Sequence, residues 1–166
     1  APLANSLRIS QVYGGGGNAG ATYTNDFIEL FNAGAGAINL TGYSVQYASS
    51  TGSSWQVTNL AGSVGPGQYY LIQEAQGSGG TTPLPTPDTI GTIPMSGTNG
   101  KVALVNTTTA QTVACPTGSQ IIDFVGFGSA NCYEGTAATP VLSNSIAALR
   151  NGAGCIDTDD NAADFT

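Results

Sequence analysis

The sequence predicts an all-β protein, built as a sandwich of two antiparallel sheets with long Gly- and Pro-rich loops. Short apolar runs recur along the chain, and several alternate apolar and polar residues with the period of two that a strand requires. No segment shows a helical period, and 24 Gly and 8 Pro residues break the chain into short pieces. We expect a single domain over residues 1–166, with its core between about residues 7 and 165.

The first three predicted strands contain the clearest patterns. Leu7–Tyr13 alternates and predicts the opening strand. Asn25–Asn32 is an apolar run broken by one carboxylate and closed by an Asn, which predicts a central strand buried on at least one face. After a Gly-Ala turn, residues 43–47 alternate, so we expect Ser44 and Gln46 on a face open to solvent.

Five later segments predict strands because they combine β-branched or aromatic residues with flanking turn signals. These segments are residues 55–57, 68–72, 102–105, 121–125 and 145–149. Residues 77–87 are too rich in Gly and Pro for a central strand, so they predict a long surface loop.

The order and spacing of several motifs are similar to those of a known family. The motifs are residues 27–32 (aromatic-Ile-Glu-Leu-aromatic-Asn), 39–43 (Asn-Leu-Thr-Gly-Tyr), 65–72, 101–106 and 122–128. Together they resemble the lamin tail domain, an immunoglobulin-like β-sandwich, from Leu7 to about Phe165. Bacterial members of that family occur on secreted and surface proteins, often beside nuclease domains. The resemblance therefore implies a non-catalytic module of the secreted or surface type.

The composition limits the classes of partner. Charged residues make up 8% of the chain, against about 25% in average proteins, and the net charge is -7 with no His. Such a field repels phosphate, so we expect no direct nucleic-acid ligand. No stretch approaches the roughly 20 apolar residues of a membrane span. The chain starts with Ala rather than Met, as after leader cleavage or trimming, so we expect a secreted, extracellular or cell-surface protein.

Three cysteines without a Cys-x-x-Cys pair favour one disulfide and one free thiol over a zinc or redox site. Cys132 and Cys155 flank the last predicted strand, and their neighbours resemble segments of the family. We expect these two residues to be bonded, which leaves Cys115 free. The alternative bond, Cys115 to Cys132, stays open because spacing does not decide between them.

Two acids lie inside apolar runs and need partners. Glu29 shares its strand face with two Phe residues, and a buried unpaired carboxylate would cost several kcal/mol. We expect a structural ion pair between Glu29 and Arg8, with Arg150 and Lys101 as the other long-reach candidates. Asp123 is expected to accept hydrogen bonds from loop amides. A role for Glu29 as a general acid needs a second carboxylate and a cleft that the sequence does not locate.

The C-terminal acidic segment is the candidate metal site. Asp157, Asp159, Asn161 and Asp164 follow the first half of a calcium-binding loop, in which alternate oxygens face one hard cation. Ala162 stands where such a loop needs Gly, and the closing Glu is missing. Because of these mismatches, the segment is interpreted as a series of Asx-turns that satisfy their own backbone amides, and a calcium site, with calcium as the one candidate cofactor, stays open as the alternative.

These observations predict a non-catalytic extracellular structural or binding module that acts through protein-protein or surface contacts. The absence of His removes the usual general base, so we expect no enzyme activity. Strand edges with few charges favour self-association into homo-oligomers or filaments. The alternatives are an accessory domain of a larger secreted nuclease and a carbohydrate-binding module. The second would use Trp55 and the tyrosines as sugar platforms: Tyr13, Tyr23, Tyr43, Tyr47 and Tyr133.

Overall fold

The structure, a computed structural model, describes residues 6–166. Eleven strands and one short helix form among these residues. In chain order they are β1 Leu7–Tyr13, β2 Asn25–Asn32, β3 Ile38–Asn39, β4 Ser44–Ala48, β5 Gln56–Asn59, β6 Ser63–Val64, β7 Tyr69–Gln76, β8 Thr89–Ile90, β9 Gly100–Val105, β10 Ile121–Phe127, β11 Ala148–Leu149 and α1 Asn161–Asp164.

The strands form two main sheets. The five-stranded sheet has the order β11-β1-β2-β7-β8, and the four-stranded sheet has the order β10-β9-β4-β5. Pairing within the sheets is antiparallel except between β7 and β8, and β3 pairs with β6 as a separate ribbon. The fold is an immunoglobulin-like antiparallel β-sandwich, which confirms the predicted fold class.

The core lies between the inner faces of the two sheets. Ile28 and Leu30 of β2 and Val102 and Leu104 of β9 are all fully buried there. The alternation along each strand sends every second side chain inward, which explains why these apolar residues share one cluster. Phe165, almost at the end of the chain, is 2% exposed and belongs to the same cluster.

The outer face of β4 is covered, and the prediction that Ser44 and Gln46 face solvent is wrong. Both side chains are completely buried. The Ser44 hydroxyl donates to the carbonyl of Thr107, and the Gln46 amide donates to that of Thr109. The chain between β9 and β10 thus lies over this face and satisfies the polar groups that it buries.

The last predicted strand is much shorter than expected. Only Ala148 and Leu149 pair with β1, and Ser143 and Ile146 instead bond to each other in a tight turn. The five apolar or small residues of this segment therefore divide between a turn and a short edge strand.

Candidate functional site

The densest group of charges surrounds Arg150, which follows β11 and is 1% exposed. Its Nε donates to the carbonyl of Ile9 at 2.7 Å, and its Nη2 donates to Asp123 at 2.7 Å. Its Nη1 donates to Asp157 at 3.0 Å and lies 3.5 Å from a carboxylate oxygen of Asp164. One guanidinium therefore joins β1 and β10 to the C-terminal segment.

Glu134 places another carboxyl group beside Asp123 and Asp157. Oxygens of Asp123, Glu134 and Asp157 all lie within 4.8 Å of one another. Burial, together with the charge of Asp123, raises the pKa of Glu134 to about 8, so it holds a proton at neutral pH. Burial raises the pKa of Asp123 as well, while Arg150 opposes that rise. The three acids could each offer one oxygen to a cation, but the guanidinium already neutralises part of their charge.

A cavity of about 340 Å³ opens beside Glu134. Phe124, Tyr133 and the Cys115 to Cys132 disulfide form much of its wall. Its size falls in the range of small-molecule sites, but it contains only one acid.

A second groove, of about 390 Å³, is lined by Glu74 and again contains one acid. Hydrolysis by a carboxyl pair requires two acids that face one cleft. Neither this groove nor the cavity at Glu134 brings together two of the acids Glu29, Glu74, Asp88 and Glu134.

The predicted ion pair between Glu29 and Arg8 is wrong. Glu29 accepts a hydrogen bond from the Ser10 hydroxyl at 2.6 Å, and its pKa is raised by burial. Arg8 donates to the carbonyl of Cys155 and lies 3.7 Å from Asp157. In the pairing of β1 with β2, Arg8 lies opposite Phe31 and Gln11 lies opposite Glu29, and the Ser10 hydroxyl reaches the Glu29 carboxylate instead.

The predicted disulfide is also wrong. The bond joins Cys115 to Cys132, with their Cα atoms 5.6 Å apart, and Cys155 is free and exposed. Cys132 packs on the outer face of the four-stranded sheet. Cys155 follows Gly154, which lies against Phe31 on the outer face of the other sheet. The two sheets therefore separate Cys155 from Cys132.

The side chain of Asn161, one of the four predicted calcium ligands, is used to cap β10. Its Oδ1 accepts the amides of Gly126 and Glu134 at 2.9 and 3.2 Å, and its Nδ2 donates to the carbonyl of Phe124 at 2.9 Å. The residue is fully buried. The side-chain amide of Asn161 thus makes the hydrogen bonds to β10 that the backbone of a neighbouring strand would otherwise make.

The other predicted ligands also have partners in the protein. Asp164 accepts hydrogen bonds from the amide and hydroxyl of Thr158 at 2.8 and 2.7 Å. Asp157 is held by Arg150, and Asp159 adopts a positive φ of 55°. Calcium binding by the four residues stays a prediction. It would require the Asn161 Oδ1 to give up its hydrogen bonds from the amides of Gly126 and Glu134 in order to bind the cation.

The edges of the two sheets differ in how they are closed. At β10, Thr139 exchanges backbone hydrogen bonds with Gly126 and Gly128, and Asn161 bonds the amide of Gly126 and the carbonyl of Phe124. The five-stranded sheet ends at two strands of two residues each, β11 and β8. Within residues 6–166, β5 pairs only with β4, which leaves its outer edge without a neighbouring strand.

Three of the predicted sugar platforms are inside the protein. Trp55 is 6% exposed, packs against Phe124 and donates its indole N–H to the carbonyl of Val113. Tyr13 and Tyr47 are 2% and 5% exposed. These rings are therefore core residues and not open platforms.

Among residues 6–166, no helix has the length and apolar character needed to cross a membrane. The molecule has the architecture of an immunoglobulin-like module, in which Asp123, Asp157 and Asp164 are tied to the Arg150 guanidinium rather than facing a common cleft. The Lamin Tail Domain family model matches residues 1–129, and the chain belongs to this family. No curated protein matches it.

The family is one of non-catalytic immunoglobulin-like domains. The resemblance in the sequence was expected to reach about Phe165, whereas the match ends at Ser129. Glu134, Arg150 and the acidic C-terminal segment lie beyond the matched region.

Proposed function

We propose that this protein is a non-catalytic extracellular module that associates with a second copy of itself by strand addition at β5. In this binding mode an extended segment adds to a sheet edge, and main-chain hydrogen bonds supply the affinity. The observation that carries the proposal is the outer edge of β5, which has no neighbouring strand within residues 6–166, whereas Thr139 and Asn161 cover the edge at β10.

The composition of β5 favours association. Natural sheets protect an exposed edge with charge, above all with Lys. The strand reads Gln56-Val57-Thr58-Asn59 and contains no charged residue, and both Gln56 and Asn59 are exposed. An edge of this kind imposes no electrostatic cost on pairing with a second copy of itself.

An exposed apolar residue lies next to this edge. Ile90, in β8, is 68% exposed. Gly91 follows it and lies so close to β5 that a Cβ added there would be 2.2 Å from the Thr58 hydroxyl. A strand that pairs with β5 can therefore bury Ile90, which adds hydrophobic stabilisation to the main-chain hydrogen bonds.

The extracellular location is supported by the disulfide and by the low charge. Disulfides persist in oxidising compartments and are rare in the cytosol, and this chain forms one between Cys115 and Cys132. The bond ties the loop over the outer face of the four-stranded sheet to the segment that follows β10.

Sedimentation analysis of the purified protein over a concentration series tests the proposed association. We expect the average mass to rise above that of the monomer, and the double variant Gln56→Lys, Asn59→Lys to stay monomeric. The matched control is Ser119→Lys with Ala137→Lys, which adds the same charge at exposed positions away from β5 and should associate like the wild type.

The proposal would be refuted if the wild-type protein stayed monomeric up to about 1 mM. A dissociation constant of that size corresponds to a binding free energy of about -4 kcal/mol. Equal loss of association in the control pair would show that net charge, and not the β5 edge, determines the mass.

A further inference from the structure

Two acids face each other inside the sandwich, away from the Arg150 cluster. Ile28 of β2 lies opposite Ile72 of β7, and two residues further along each strand the inward side chains are Asp26 and Glu74. Asp26 is 3% exposed and Glu74 is 1% exposed. Two buried carboxyl groups therefore lie at the same end of the core, near enough for the charge of Glu74 to act on Asp26.

Each acid uses one oxygen to hold the segment 91–96, which runs between β8 and β9. The amide of Met95 donates to Asp26 Oδ2 at 2.8 Å, and the amide of Ile93 donates to Glu74 Oε2 at 2.9 Å. The other two oxygens, Asp26 Oδ1 and Glu74 Oε1, are buried without a hydrogen bond of normal geometry, although the Gly16 amide lies near enough to Asp26 to lower its pKa. A buried carboxylate oxygen without a donor is costly, so these atoms point to a missing proton or cation.

No basic side chain neutralises this pair. The chain contains three basic residues and no His. Arg8 and Arg150 share the cluster around Asp157, and Lys101 donates its hydrogen bonds to two carbonyls and to Asn131.

The other groups packed around the pair do not supply a positive charge either. Tyr47 of β4 is a further titratable group beside the pair: its hydroxyl accepts the amide of Ser96 at 3.0 Å, and burial and the charge of Asp26 raise its pKa. From β5, Thr58 forms a side-chain hydrogen bond with Glu74.

We propose that Asp26 and Glu74 form a proton-binding site, in which one proton lies between their two free oxygens and keeps the segment 91–96 in place. Two neighbouring carboxyl groups in a buried site without a cation resist ionising together, so one keeps its proton while the other is ionised. On deprotonation the proton passes to water, and both carboxylates then repel each other beneath Ile93 and Met95. Burial, with the charge of Glu74 as a smaller contribution, raises the pKa of Asp26 to about 7.

Carboxyl ¹³C NMR titration of the folded protein tests the proposal directly. We expect the side-chain carbons of Asp26 and Glu74 to shift over the same pH range, with the Asp26 midpoint near 7, and the amide signals of Ile93 and Met95 to move with them. Glu74→Gln should lower the Asp26 midpoint, because the like charge is removed. Glu29→Gln, on the outer face of the same sheet, is the control and should leave that midpoint unchanged.

Separate midpoints near 4 for the two acids would overturn the shared proton. So would an Asp26 midpoint that Glu74→Gln does not move, because the acids would then titrate independently. Repeating the titration with about 5 mM calcium chloride and with EDTA shows whether a divalent cation, rather than a proton, binds between the two acids. This calcium concentration lies above the dissociation constants of extracellular calcium modules. A midpoint that depends on calcium would also overturn the proposal.

Discussion

Replacing Arg150 by Met tests whether the buried guanidinium holds the C-terminal segment on the sandwich. Met keeps much of the apolar stem and removes all the donors. The lost contacts include bonds of 2.7 Å to the Ile9 carbonyl, 2.7 Å to Asp123 and 3.0 Å to Asp157. Asp123 is 1% exposed, so its charge would have no solvent to replace the guanidinium.

The expected cost follows from this burial. Removing one partner of a buried ion pair costs about 3–5 kcal/mol, because the remaining charge is uncompensated. Asp157 contributes less, since its side chain is 11% exposed and Arg8 stays beside it. We therefore expect Arg150→Met to lower the free energy of unfolding by about 4 kcal/mol, a large part of the roughly 5–15 kcal/mol of an ordinary domain.

Urea unfolding at pH 7 measures this effect through the fluorescence of Trp55, the only Trp in the chain and 6% exposed. Arg8→Met is the matched control, because it removes the same charge from a side chain that is 15% exposed and 3.7 Å from its nearest carboxylate. A pair of that kind contributes about 0–1 kcal/mol.

Acid should reduce the deficit of the Arg150→Met variant. Without the guanidinium the folded-state pKa of Asp123 rises further above its unfolded value, so the variant loses stability as pH rises and regains it as pH falls. Adding Asp123→Asn should recover part of the loss at pH 7. If Arg150→Met and Arg8→Met unfold within about 1 kcal/mol of each other, the buried charge does not have the energetic role argued here.

Three further outcomes are expected. The folded-state pKa of Asp26, about 7, lies above its ordinary 3.8, so the wild type loses stability as pH rises between these values. Asp26→Asn lacks this carboxyl group, so its free energy of unfolding relative to the wild type should rise by up to about 4 kcal/mol from about pH 3.5 to about pH 8 in urea unfolding. A difference between the two proteins that does not change with pH would contradict this. Peptide mapping without reduction should link Cys115 to Cys132 and find Cys155 alkylated; replacing the bonded pair by Ala should cost about 3 kcal/mol, and a mapped bond to Cys155 would reverse the assignment. If the C-terminal segment binds calcium, about 5 mM of the ion should raise the melting temperature and Asp159→Asn should remove the rise, whereas an unchanged temperature excludes the site.

The strands could be predicted from the sequence because their pattern is local. In β2, Ile28 and Leu30 face the core, and the residues between and beside them take the other face, as a period of two requires. The same rule failed for Ser44 and Gln46 in β4. Their cover comes from Thr107 and the residues after it, about sixty positions away, and alternation within one strand contains no information about such a distant segment.

The partners of the charged residues were not predictable for a related reason. Asp123 was expected to accept loop amides, but the amides that it accepts, those of Ile9 and Phe124, belong to strands β1 and β10, and it also accepts a bond from Arg150. Arg8 was assigned to Glu29 as a long-reach cation on a neighbouring strand, but it lies opposite Phe31 and contacts the Cys155 carbonyl and Asp157 in the tail. Partner identity depends on register and on the path of the tail, and both are properties of the assembled sheets.

Asn161 provides the clearest test of how the tail closes the sandwich. Its side chain takes the place of a neighbouring strand by bonding the amide of Gly126 and the carbonyl of Phe124. Asn161→Leu keeps a similar volume but leaves these buried groups without partners, at about 1–3 kcal/mol for each group. We expect a loss of about 3 kcal/mol in unfolding free energy and faster hydrogen exchange at the Gly126 amide.

The control for this prediction is Asn151→Leu, because Asn151 also bonds the tail but donates to the carbonyl of Ala163 at an exposed position. It should cost less than about 1 kcal/mol and leave the exchange at Gly126 unchanged. The Asn161 variant should also self-associate more strongly than the wild type, since it would have a second open edge, at β10, in addition to β5. Normal protection of Gly126 in Asn161→Leu would mean that the backbone of the tail, and not this side chain, closes the β10 edge.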